Sequence, residues 1–97
     1  MNVYFDLIVS KKDGFSEEKF REIVKNKIEG CREFPAKLES IDYVNNVYKL
    51  AVRCDFSESG IVLLFGDLAS IHMEYDFVDI IGIPQDKIVI TDNRSCG

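Results

Sequence analysis

The side chains best able to do specific chemistry in this 97-residue chain are one histidine, His72, and three cysteines, Cys31, Cys54 and Cys96. Together they could fill a zinc shell, but ligands of a structural zinc arrive in close pairs, about two to four residues apart, and these positions hold no such pair. His72 has no sequence partner that would build a Ser-His-Asp or Cys-His arrangement, so it reads as a surface or structural residue. Gly60 and Gly66 bracket an apolar run with no Lys-Ser or Lys-Thr after it, which is not a phosphate loop. Carboxylates are numerous enough that some must be neighbours, and a pair gains catalytic meaning only with a cleft and a shifted pKa. The expectation is a chain that is not an enzyme and that uses neither metal nor cofactor.

Charge is the stronger signal. Residues 1–53 carry 10 Lys or Arg against 9 Asp or Glu, and residues 87–97 carry Lys87 and Arg94 against Asp92. Between them, residues 54–86 hold no cation and seven carboxylates, Asp55, Glu58, Asp67, Glu74, Asp76, Asp79 and Asp86, which gives the chain its net charge of −5. Like charges gathered on a small surface repel one another. Solubility alone can account for such a face. The sharper reading is a site for a basic partner, drawn in by long-range attraction. Asp55, Glu58, Asp67, Glu74, Asp76 and Asp79 are the candidate contact residues. Direct binding of nucleic acid is disfavoured, because phosphate contacts need cations.

The elements that must position these groups follow from periodicity. Residues 2–9 place Val3, Phe5, Leu7 and Val9 on one side and read as a first strand. After the turn "KKDG", Ser16 is a good N-cap, Glu17 and Glu18 suit the first turn, and Phe20, Ile23, Val24 and Ile28 form a helical stripe ending at Gly30. The exposed side of that helix alternates Glu17, Glu18, Glu22 and Glu29 with Lys19, Arg21, Lys25 and Lys27, a neutral solvated face with local pairs at Glu17–Arg21 and Glu22–Lys25. Pro35 breaks the chain, and two strand-like runs joined by Asn45-Asn46 predict a hairpin whose second strand turns Cys54 inward.

Beyond it the apolar run "IVLLF" predicts a short buried strand. In "IHMEYDF" the alternation of Ile71, Met73, Tyr75 and Phe77 with His72, Glu74 and Asp76 predicts a strand over about 70–77, setting Glu74 and Asp76 side by side. A short helical turn near 77–82 would follow, stopped by Gly82 and Pro84, and "KIVI" supplies a last strand. The sum is a single α+β domain over residues 1–97, a mainly antiparallel sheet packed by the helix of about 17–29 with its other face or an edge open to a partner. The competing arrangement is ferredoxin-like, βαββαβ, in which much of 67–81 is a second helix. Tyr4, Tyr43 and Tyr48 suit interface anchors, although ordinary sheet packing also accounts for them.

A chain this short buries only about 60 to 65% of the surface its unfolded form exposes, which leaves little room for a deep cavity and makes a homo-oligomer useful. "MNVYFDLIV" has no basic leader region and is too short to span a bilayer, so a cytoplasmic protein with reduced thiols and no membrane partner is expected. The function predicted from these features is a small acidic inhibitor of a basic protein. An immunity protein blocking a nuclease-type toxin comes first, because a cationic phosphate cleft invites an anionic plug. A phage-encoded inhibitor of a nucleic-acid-binding complex works on the same principle. The ferredoxin-like alternative predicts instead a regulatory or oligomerisation module with a second long helix.

Overall fold

The computed structural model describes residues 1–30, 35–54 and 58–91, with Glu58 and Ser59 described along the backbone only. Cys31, Asp55 and Cys96 therefore lie outside the described residues, and the side chain of Glu58 is likewise not described. The chain runs β1 (Asn2–Lys11), α1 (Glu17–Glu29), β2 (Ala36–Val44), β3 (Val47–Cys54), α2 (Glu58–Ala69), α3 (Ile71–Glu74), β4 (Val78–Gly82), a one-turn 3-10 helix (Gln85–Lys87) and β5 (Val89–Thr91).

Local chemistry explains the first half. The turn after β1 needs a left-handed residue, which Gly14 supplies at φ 82° without a Cβ to clash. The Ser16 hydroxyl accepts from the Lys19 amide, and α1 then buries Phe20, Ile23, Val24 and Ile28. Asn45 and Asn46, at φ 54° and 65°, close β2 onto β3 in a two-residue turn whose twist matches the strands it joins. One extra residue, Glu39, interrupts the β2–β3 register between Leu38 and Ser40.

All pairings are antiparallel, and the sheet order is β2-β3-β1-β4. This is the connectivity and order of a ferredoxin-like split βαβ sheet. The fifth strand adds to it: β4 pairs with residues 8–11 of β1 and β5 with residues 2–4, so the two share one flank of β1. Pro84 and the 3-10 turn separate them.

The second half corrects three expectations. Residues 61–65 are helical, because Ile61, Leu64, Leu68 and Ile71 are the buried positions and their spacing is that of one helical face; Val62 and Leu63, in the same apolar run, are exposed. Residues 70–77 are not a strand. The Met73 amide donates to Ser70 and the Tyr75 amide to Ile71, and Met73 is 79% exposed, whereas a strand face of Ile71, Met73, Tyr75 and Phe77 would have buried it. Residues 77–82 are not a helical turn either: Val78–Gly82 form β4, with Val78 opposite Lys11 and Ile80 opposite Val9, where β1 would otherwise lack a partner.

The core lies between the sheet and one layer of helices. Val3, Phe5 and Leu7 of β1 and Tyr48, Leu50, Val52 and Cys54 of β3 point to that side and are buried. Phe5 meets Phe65 of α2 at 4.8 Å between ring centroids, and Tyr48 meets Phe20 of α1 at 4.9 Å. The opposite face of the sheet, formed by the alternate residues, has no described element over it.

Candidate interaction surfaces

The helical reading of 58–74 redistributes the acidic residues. Asp67 is exposed near the end of α2, Glu74 ends α3, Asp76 lies in the turn before β4, and Asp79 is on β4. They form no flat stripe. Two are matched by cations from the earlier part of the chain: Lys27 of α1 pairs with Glu74, and Lys12 with Asp79 at 3.8 Å. The excess visible along the sequence is thus partly cancelled in space. Asp67 and Asp76 have no cation within ion-pair distance among the described residues.

The polar groups nearest the core form a second cluster. Tyr48 is fully buried, and its hydroxyl donates to Glu17. Glu17 also pairs with Arg21 at 3.3 Å, and Arg21 donates to the Ile41 carbonyl at 2.6 Å, so one carboxylate ties α1 to β3 and, through Arg21, to β2. Burial, then the hydrogen bond to Glu17 and its negative charge, push the Tyr48 phenol well above its ordinary value. Beside it the Lys11 ammonium sits 3.9 Å from the Tyr43 ring centroid, 4.9 Å from Phe15 and 5.7 Å from Tyr48. These contacts close the end of the sheet under α1. His72 is exposed, with Nδ1 2.6 Å from the Ala69 carbonyl, a contact local to the α2–α3 junction. Among the described residues no three His, Cys, Asp or Glu side chains gather as a cation shell, and no helix is long and apolar enough to cross a membrane.

The uncovered sheet face is the one expected to be open to a partner, although none of the candidate contact residues was chosen for lying on it. Its residues fall in rows across the strands. Lys37, Arg53, Asn2 and Thr91 make one row; Ser40, Ala51, Tyr4 and Val89 make the next; Asp42, Lys49 and Asp6 make the third. Val44 and Val47, with Ile8 and Ile81 on β1 and β4, lie beyond. Tyr4, Val44, Ile81 and Val89 are all exposed. The charges balance, Lys37, Lys49 and Arg53 against Asp6, Glu39 and Asp42. Lys49 reaches Asp6 at 3.2 Å and Arg53 reaches Glu39 at 3.0 Å.

The signal for this face was present in the alternate positions of the strands, where Tyr4, Ile8 and Val89 break the usual polar pattern of a solvated side. Of the three tyrosines weighed as anchors, only Tyr4 lies here; Tyr48 is in the core and Tyr43 is beside Lys11. A second apolar group, Val62, Leu63 and Met73, is exposed on the outer side of α2 and α3. No protein-family model, curated protein or solved structure matches this chain.

Proposed function

We propose that this chain is a non-enzymatic binding module of ferredoxin-like architecture that acts by docking its uncovered sheet face on a protein partner in the cytoplasm. The observation that carries the reading is the face itself: four large apolar side chains, Tyr4, Val44, Ile81 and Val89, stand exposed on a sheet with balanced charge. These side chains stand on either side of the charged row of Asp42, Lys49 and Asp6, and exposed apolar area of this kind is stabilised by being covered. The test compares cross-linking of the wild-type chain in its producing cell with that of a Tyr4→Glu/Val89→Glu variant. Loss of the wild-type adducts in a variant with an unchanged circular dichroism spectrum supports the reading, and identical adducts from both overturn it.

A second reading keeps the acidic surface as the site. It rests on Asp67 and Asp76, exposed carboxylates without a described cation partner, together with Asp55 and Glu58. In that reading the partner is basic, a nuclease-type toxin or another nucleic-acid-binding protein, and the chain neutralises it. Its binding would weaken sharply with salt and respond to Asp67→Lys/Asp76→Lys. Binding through the sheet face would respond to Tyr4→Glu/Val89→Glu and little to salt.

A further inference from the structure

We infer that the occupant of the uncovered sheet face is a second copy of this chain, packed sheet to sheet about a twofold axis that runs along the strands between β1 and β3. The inference rests on the association reading above and adds the partner and the contacts.

The argument is one of charge and shape carried by the register. Facing sheets pack about 10 Å apart, with their strand directions within about 30° of each other. An axis parallel to the strands, midway between the two sheets, carries each β3 position of one copy over the β1 position in the same row of the other. Lys49 pairs with Asp6 across β1 and β3 within one chain. The axis therefore sets Lys49 of each copy over Asp6 of the other, and two internal ion pairs become a ring of four alternating charges. Lys49 is the outward member, its side chain 53% exposed against 13% for Asp6, so it is free to reach across.

The neighbouring rows agree. Tyr4 is opposite Ala51 in the ladder, so the operation lays a large ring over a methyl group on each side of the axis. Ile8 comes over Val47, and Val44 over Gly82, next to the exposed Ile81. Arg53 comes over Asn2 and Lys37 over Thr91, so the cations of that row do not meet. An axis across the strands does worse: centred on the same rows, it lays Arg53 over Val47 and Lys37 over Val44, burying cations against valine.

The test uses charge reversal with exchange. Sedimentation of the full chain across a series from low micromolar to near-millimolar concentration should show a monomer–dimer equilibrium. Asp6→Lys alone gives each dimer two cation–cation contacts, and Lys49→Asp alone gives two anion–anion contacts. Each should weaken self-association by about tenfold or more. Mixing the two variants in equal amounts pairs opposite charges at both contacts and should return the dimer, which a variant that had merely failed to fold would not do. A monomeric wild type, or single variants that dimerise as the wild type does, or a mixture no tighter than its components, overturns the inference. If the wild type is monomeric while its cellular adducts still vanish with Tyr4→Glu/Val89→Glu, the face binds a different protein and only the second copy is lost. If those adducts also persist, the association reading falls with it.

Discussion

Tyr48 is the residue on which most of the interior converges. It lies fully buried beneath α1, in tilted ring contact with Phe20 and Tyr43, and places its hydroxyl on Glu17. Replacing it with phenylalanine keeps the ring and removes the hydrogen bond, which should cost about 1 kcal/mol in urea unfolding. Tyr48→Ala should cost about 3 to 5 kcal/mol, because the cavity is added to the lost transfer energy. The same burial gives a pH signature. The folded phenol titrates above its ordinary value of about 10, so the unfolded chain loses this proton first as pH rises. Stability from the neutral phenol is complete below pH 10 and declines above it. Wild-type unfolding free energy should therefore fall more steeply above pH 10 than that of Tyr48→Phe, and equal slopes would contradict the buried phenol. The inward position of the ring was legible in the β3 alternation. Its tie to Glu17 was not, because Glu17 in sequence belongs to a helix face whose charges already pair among themselves.

At the scale of elements, what could be read depended on whether local chemistry or packing decided the conformation. Ser16, Glu17 and Glu18 announce α1, and Asn45-Asn46 announces the hairpin, since a left-handed backbone selects among very few residues. Asn45→Val should therefore cost about 1 to 2 kcal/mol, measured as a lower urea midpoint, because a β-branched side chain resists φ of 54°. Residues 61–77 carry no such marker. Their apolar positions satisfy a period of two over 71–77 and a period near 3.6 over 61–71 at once, and the exposed Val62, Leu63 and Met73 blur both. What settles the choice is that Ile61, Leu64, Leu68 and Ile71 share one side toward the sheet, a fact of packing that no seven-residue window contains. The acidic stripe failed with the strand that was to display it.

For the molecule as a whole, the charge asymmetry of the sequence is a poor map of its surface. Lys12 and Lys27, from the balanced half, lie against Asp79 and Glu74 of the acidic half. Glu74→Lys should accordingly cost about 0.5 to 1 kcal/mol by setting a second cation against Lys27, whereas Asp76→Lys should change the urea midpoint little. The sheet order sets a second expectation. β1 is flanked by β3 on one side and by β4 and β5 on the other, and its Val3, Phe5 and Leu7 are buried, so amide hydrogen exchange should be slowest in residues 3–7. The three residues of β5, with Val89 and Ile90 exposed, should exchange fastest among the strands.

The two margins of this sheet also bear on how the chain behaves when crowded. A long, smooth margin strand is a template for adding further chains without limit, toward filaments and aggregates. Here the β2 margin is bent by the extra residue at Glu39 and studded with Lys37 and Asp42, and the other margin is cut by Pro84 and the 3-10 turn. Growth by strand addition is obstructed on both sides, while the proposed contact through the broad face would saturate after one partner. Smoothing either margin, by deleting Glu39 or replacing Pro84, should therefore make the chain precipitate from concentrated solution.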